Sequence, residues 1–214
     1  MKTLLNVRTS LFGTQGASSQ LADRFVADWL QRNPDGRVVT RDLAADPILH
    51  LTADRFVAFG TKPEDRSPEQ HAAVEYSDAL IEELRIADTI VLGVPMYNFS
   101  VPSTLRAYFD QIARAGVTFR YTSAGPEGLL KGRRAYVLIT RGGVYAAAVD
   151  TQSAYIRQFL NFLGIESEFI FAEGLGLGDE SRLKSLTAAR EQVATLGQAA
   201  SLEPDRAREA LRSL

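Results

Sequence analysis

Thr89-Ile90-Val91-Leu92-Gly93-Val94, followed at once by Pro95-Met96-Tyr97-Asn98-Phe99, is the stretch that decides how this chain folds. A short, almost wholly apolar run rich in β-branched residues reads as a strand buried on both faces, the kind found inside parallel sheets. A helical pattern opens soon after, at Ser103-Thr104-Leu105-Arg106-Ala107-Tyr108-Phe109. The Pro, amide and aromatics in between stand at the carboxyl end of that strand, the edge where open α/β sheets bind ligands. Such a loop suits a flat heteroaromatic ring with polar edges. It suits equally a structural turn that happens to be aromatic, and the window by itself leaves both readings open.

Outward from this strand, short apolar runs alternate with amphipathic stretches. That is the pattern of a doubly wound α/β domain, a five-stranded parallel sheet with helices on both faces. Residues 3–7 form the first strand, and a helix follows with Leu21, Phe25, Val26 and Trp29 on one face. Val38-Val39-Thr40 is a short second strand. Ser67-Pro68-Glu69-Gln70 supplies a Ser cap, a Pro at the first helical position and a Gln to close the capping box. The helix it opens is expected to turn Ala72, Tyr76, Ala79, Leu80 and Leu84 inward. Residues 135–140 are the fourth strand; a helix through Tyr155, Ile156, Phe159, Leu160 and Leu163 ends at Gly164, a C-cap. Residues 168–172 are the fifth strand, and the last helix packs Leu183, Leu186, Val193 and Leu196. The reading is one domain over residues 1–197, with the Ala-, Glu- and Arg-rich segment 198–214 as a loosely docked tail.

The 214 residues carry 24 basic and 26 acidic side chains, a net charge of −2 without a long block of either sign. A surface that tracks nucleic-acid phosphates needs clustered Lys and Arg, so no nucleic-acid partner is expected. Lys131-Gly132-Arg133-Arg134, the densest basic patch, reads as a solvated turn before a strand. There are no cysteines, which removes disulfides, thiolate nucleophiles and cysteine-ligated clusters together. Electrons moved by this protein would have to be carried by an organic cofactor. The amino terminus does not read as a signal peptide, and no stretch approaches the roughly 20 apolar residues of a membrane span. A soluble, cytoplasmic protein is expected.

The segment from Thr9 to Gln20 joins the first strand to the first helix through Gly13, Gly16 and a series of hydroxyls. It leads to the positive end of a helix with free N–H groups, so a phosphate would be accommodated there without Lys or Arg. An ordinary Ser-capped helix after a flexible loop is the alternative. Thr140-Arg141-Gly142-Gly143 follows the fourth strand at the same edge, and its paired glycines suit backbone contact with a ring carbonyl or nitrogen. Gly174-Leu175-Gly176-Leu177-Gly178 has the wrong spacing for a dinucleotide fingerprint. Walker and nucleophile-elbow sequences are missing, His50 and His71 lack metal-ligand spacing, and Asp110 and Glu127 do not form a carboxylate pair. No metal site is expected.

These residues resemble the FMN-dependent NADH-azoreductases of the flavodoxin-like NAD(P)H:quinone reductase superfamily. The resemblance rests on Arg41-Asp42-Leu43-Ala44-Ala45, Pro95-Met96-Tyr97-Asn98-Phe99 and Ala113-Arg114-Ala115-Gly116-Val117-Thr118-Phe119-Arg120-Tyr121. It continues through Gly125-Pro126-Glu127-Gly128-Leu129, Arg141-Gly142-Gly143 and Phe171-Ala172-Glu173-Gly174. It implies that Ser10, Gly16, Ala17 and Ser18 hold the FMN phosphate. Met96, Tyr97, Asn98 and Phe99 would lie along the isoalloxazine, and Thr140, Arg141, Gly142 and Gly143 would touch its polar edge. Gly16 stands where members commonly have Ser, so Ser18 or Ser19 would have to supply the missing hydroxyl. The apolar segment 144–149 looks shorter than the more polar loop of some relatives.

The implied activity is two-electron transfer from NADH or NADPH through FMN to quinones and azo compounds, in ping-pong fashion. No side chain is essential as acid, base or nucleophile, and Asn98 is the best-placed ring contact. A homodimer is also implied, with Tyr121 and Phe162 of one copy walling the flavin of the other. A flavodoxin-like FMN carrier passing single electrons is the competing reading. Against it, carriers are usually strongly acidic for docking, and this chain is not.

Overall fold

The computed structural model describes residues 1–199; most of the tail expected after residue 197 lies outside the described residues. Strands β1 (Thr3–Arg8), β2 (Arg37–Asp42), β3 (Thr89–Pro95), β6 (Arg134–Thr140) and β7 (Glu166–Ala172) form one sheet in the order β2-β1-β3-β6-β7. Every neighbouring pair in it is parallel. Counted without the hairpin described below, that is the 2-1-3-4-5 order of flavodoxin-like sheets, with its switch point between β1 and β3. The helices are α1 (Ala17–Arg32), α2 (Ala53–Gly60), α3 (Pro68–Ile86), α4 (Ser103–Ile112), α5 (Thr151–Leu163) and α6 (Asp179–Ala199). Among the described residues no helix is long and apolar enough to cross a membrane.

Because strand side chains alternate, each strand feeds two cores. Leu5, Ile90, Leu92, Val137 and Ile139 point into the layer built with α3, α4 and α5, beside Leu80, Leu105, Phe109 and Leu160. Leu4, Val91, Tyr136, Leu138 and Ile170 point the other way, onto Leu21, Phe25 and Trp29 of α1 and Leu186 and Val193 of α6. The continuous apolar runs of β3 and β6 follow directly from this two-sided burial.

Helix α3 begins with the expected capping box: the Ser67 side chain accepts from Gln70 N, and the Gln70 side chain accepts from Ser67 N. Its inward face differs from expectation. Ala72 and Ala79 are exposed, and the buried stripe is Ala73, Val74, Ser77, Leu80, Ile81 and Leu84. Leu183, expected in the core, is 66% exposed at the start of α6, whereas Leu186 and Val193 are buried as expected and Leu196 packs against them. In α3 the expected Leu80 and Leu84 are buried and Tyr76 packs half-buried on the core; only the two alanines differ, since an alanine satisfies either face of a helix at little cost.

One element was not expected at all. β4 (Phe119–Thr122) and β5 (Gly125–Gly128) pair antiparallel as a hairpin inserted between α4 and β6. It sits against the end of α5, where Gly164 adopts φ 85° as the C-cap. Several of the sequence motifs quoted above are scaffolding of this kind. Arg41 pairs with Glu83 of α3, Asp42 Oδ1 accepts from Ala44 N at 3.0 Å, and Leu43 is fully buried. Arg114, buried, reaches Asp78 Oδ1 at 2.5 Å and lies over the Phe59 ring, tying α2 and α3 to the end of α4. Arg133 of the basic patch donates to the carbonyls of Leu84 and Arg85, closing the end of α3.

Candidate functional site

Three loops meet at the carboxyl edge of the sheet, after β1, β3 and β6. The first turns from Thr9 to Gly16 through a short 3-10 turn at Gly13–Gln15. Thr9 Oγ1 donates to Gly93 O at 2.8 Å, holding the loop against β3. Helix α1 then starts from Gly16 with no side-chain cap, so the alternative of a Ser-capped helix does not hold. Its first turn carries Ser18 and Ser19, fully buried, and neither Oγ has a hydrogen-bond partner. A buried, unpaired hydroxyl costs free energy, and an anion placed beside these two and the uncapped helix N–H groups would supply the missing partners. A Cβ on Gly16 would lie 2.1 Å from Ser10 Oγ, so Ser10 already fills the space a residue-16 side chain would take.

The second loop leaves β3 at Pro95. Met96 N donates to Thr140 O at 2.8 Å, which extends the β3–β6 pairing by one step. Tyr97 and Ser100 then exchange backbone hydrogen bonds of 3.1 and 3.0 Å around Asn98 and Phe99, whose φ values are 49° and 65°. Left-handed conformation at both central residues is what a type I′ turn requires. Met96 and Tyr97 are half-buried, while Asn98 and Phe99 stand out from the loop. Leu11 N donates to Tyr97 Oη at 3.3 Å and so links the first loop to the second.

The third loop is braced from behind. Leu175 N, Gly176 N and Gly174 N donate to the carbonyls of Arg141, Gly142 and Gly143 at 2.9 to 3.0 Å. The glycine run that failed as a dinucleotide fingerprint is therefore the backing of this loop. Thr140 and Arg141 are buried, and a Cβ on Gly142 would meet nothing within 4 Å, so the loop presents open backbone there. The Arg141 guanidinium is not offered to a ligand: it is enclosed by Asp150, Gln152 and Glu173. Burial alone would push the Asp150 carboxyl up, but hydrogen bonds from Arg141 and Ser153 outweigh it and hold the group below the usual carboxylate range.

A cavity of about 500 Å³ adjoins the second loop, lined by Leu11, His50, Tyr97, Asn98 and Arg106 among others. His50, which lacked any motif in the sequence, is brought there by the connection between β2 and α2. A second cavity, of about 800 Å³, opens between the third loop, α5 and β7. Tyr121 and Phe162 line neither of them. Tyr121 is 76% exposed on the hairpin, and Phe162 packs on Phe119 with ring centroids 4.3 Å apart.

Residues 1–196 match a protein-family model described as having a flavodoxin-like fold. The FMN-dependent NADH:quinone oxidoreductase of Cellvibrio japonicus is 54% identical over 195 residues, covering 90% of this chain and 97% of that protein. FMN-dependent NADH:quinone oxidoreductase 6 of Burkholderia lata is 48% identical, covering 91% of this chain and 99% of its own. Among solved structures, an azoreductase from Bacillus anthracis superposes with a TM-score of 0.85 at 29% identity, covering 92% of this chain and 99% of that one.

Proposed function

The chain belongs to the flavodoxin-like family of FMN-dependent NADH oxidoreductases, and on that premise we propose that it reduces quinones and azo compounds by two electrons, with donor and acceptor alternating at one site. FMN held by these loops would supply the two-electron redox chemistry between NADH and the acceptor. The observation that carries the reading is the pair of unpartnered, buried hydroxyls at the uncapped start of α1, directly beside two ligand-suited loops.

In this reading Ser10, Ser18 and the backbone from Gly16 to Ser18 hold the terminal phosphate. The type I′ turn carries Asn98 and Phe99 along the ring, and the open backbone at Gly142, followed by Gly143 beside the Tyr145 ring, takes its polar edge. The side chains bind, orient and exclude water; no acid, base or nucleophile among them is required. Exposed Val144 and Val149, at 67% and 64%, favour hydrophobic acceptors over sulfonated ones. A second copy of the chain completes the site with Tyr121 and Phe162, which is consistent with the exposure of Tyr121 and of Leu11, Phe12 and Phe99.

The test is a titration of the apoprotein with FMN, followed by initial rates against NADH at several quinone concentrations. Tight FMN binding and parallel double-reciprocal lines are expected. A protein that ignores FMN or selects FAD overturns the cofactor assignment, and intersecting lines overturn the shared pocket.

A further inference from the structure

Beneath the second and third loops, out of reach of solvent, a single side chain joins them. Gln152, in the first turn of α5, has no exposed surface. Its Nε2 donates to Pro95 O at 3.0 Å and to Ser100 O at 3.3 Å, and its Oε1 accepts from Arg141 Nε at 3.1 Å. Pro95 and Ser100 bracket the segment from Met96 to Phe99. Arg141 immediately precedes Gly142 and Gly143. One amide therefore spans the gap between the two loops assigned to the ring.

The far end of this link is equally fixed. Arg141 Nη2 donates to Asp150 Oδ1 at 2.6 Å and Nη1 to Glu173 Oε1 at 3.0 Å. Glu173 Oε1 also accepts from Tyr145 N at 3.3 Å. The Arg141 guanidinium lies beside the rings of Tyr145 and Phe171. Helix α5 does not need Gln152 to begin, because Asp150 Oδ1 already accepts from Ser153 N at 3.0 Å. What only an amide of this length supplies here is a pair of donors toward one loop and an acceptor toward the other.

We propose that Gln152, acting through Arg141 and the Pro95 and Ser100 carbonyls, is a positioning residue that sets the spacing of the two ring-contacting loops. The inference rests on the FMN reading above. It assigns control of cofactor affinity and of the cofactor's surroundings to a residue that never touches the ligand. Gln152→Glu keeps the length and the acceptor toward Arg141 but has no donor for the two carbonyls. Gln152→Met keeps the volume and loses both ends of the link.

The experiment compares wild type, both variants and Gln158→Ala, an exposed control on the same helix. FMN dissociation constants come from fluorescence titration of the apoproteins, visible circular dichroism from the FMN-loaded proteins, and melting temperatures from the apoproteins. Both Gln152 variants are expected to bind FMN about tenfold more weakly, the order set by losing buried hydrogen bonds, with an altered visible dichroism. Gln158→Ala should match wild type. Wild-type affinity and dichroism in the variants, with any loss confined to the apoprotein melting temperature, would show that Gln152 only packs. Where Gln152→Met fails to fold, the isosteric Gln152→Glu decides on the same two readouts. A wild-type apoprotein without affinity for FMN would overturn the parent reading and this inference together, whereas normal wild-type binding matched by the variants overturns this inference alone.

Discussion

Gly93 of β3 and Ser18 of α1 meet backbone to backbone, and a Cβ built on Gly93 would lie 2.9 Å from the Ser18 carbonyl oxygen. The approach seats the first turn of α1 directly on the central strand, which brings the buried hydroxyls of Ser18 and Ser19 to the sheet edge. Gly93→Ala should therefore push that turn away. We expect a stability loss of about 1–3 kcal/mol, the usual cost of forcing extra atoms into packed structure, together with weaker FMN binding. Urea unfolding and FMN titration measure the two effects, and a variant unchanged in both would refute the coupling.

Ser18→Ala separates binding from folding. Losing a hydrogen bond to a charged group should weaken FMN binding by about 1.5–3 kcal/mol. The apoprotein should be no less stable, and its melting temperature is expected to rise, because an unpartnered hydroxyl leaves a buried position. An apoprotein that melts lower while FMN binds normally would assign Ser18 to the scaffold.

Gly128→Ala tests the attachment of the hairpin. A Cβ there would fall 2.1 Å from Gly164 N and from the Leu163 carbonyl carbon, backbone atoms that cannot swing aside. A loss of about 3 kcal/mol or more is expected in denaturant unfolding, at the upper end for overpacking. A fully stable variant would mean that β5 can leave α5 without cost.

Asp150 gives the fold an acid-sensitive contribution. Its carboxyl is held below the usual range in the folded chain, so between the folded and unfolded pKa values the unfolded state binds more protons. That contribution is fully present above the unfolded value of about 3.9 and is lost as pH falls through the folded value. Asp150→Asn should thus be less stable than wild type at pH 7, with the gap closing below about pH 4. A gap that stays constant between pH 7 and pH 3 in denaturant unfolding would contradict the assignment.

Tyr121→Ala is the cleaner probe of a second copy. Tyr121 is 76% exposed, so its removal should change the stability of the single domain by no more than about 0.5 kcal/mol. Phe162→Ala should cost more within one domain, about 2 kcal/mol, because Phe162 packs on Phe119. Sedimentation and kinetics should nonetheless show Tyr121→Ala weakened in self-association and turnover. A wild-type protein that is a fully active monomer would exclude the shared wall.

The sheet was legible because strands buried on both faces leave nowhere for polar residues, so β3 and β6 appear as unbroken apolar runs. Gly164 and the Ser67 capping box were legible because each answers a local backbone need. The hairpin was not: Phe119-Arg120-Tyr121-Thr122 and Gly125-Pro126-Glu127-Gly128 are short, and the second lacks β-formers altogether. Nor was the turn at Asn98 and Phe99, since a Phe at a left-handed position carries no turn signal. Gln152 was invisible for another reason. A lone Gln in a helix is ordinary, and its role exists only where α5 passes beneath two loops distant in sequence. Arg141 shows the converse, a residue expected at the ring edge whose charged end is bound by Asp150, Gln152 and Glu173 and faces the protein.

The left-handed pair at Asn98 and Phe99 has a kinetic consequence. Holding a non-glycine residue in that region costs roughly 1–2 kcal/mol, and here the cost is met during folding by the Tyr97–Ser100 exchange and by Thr151 Oγ1 donating to Phe99 O at 3.1 Å. A ring laid on this turn, as proposed, would meet a surface preorganised before any ligand arrives. Little ordering entropy is left to lose on association, so the rate of cofactor uptake should be governed by encounter at the phosphate end rather than by closure of this loop.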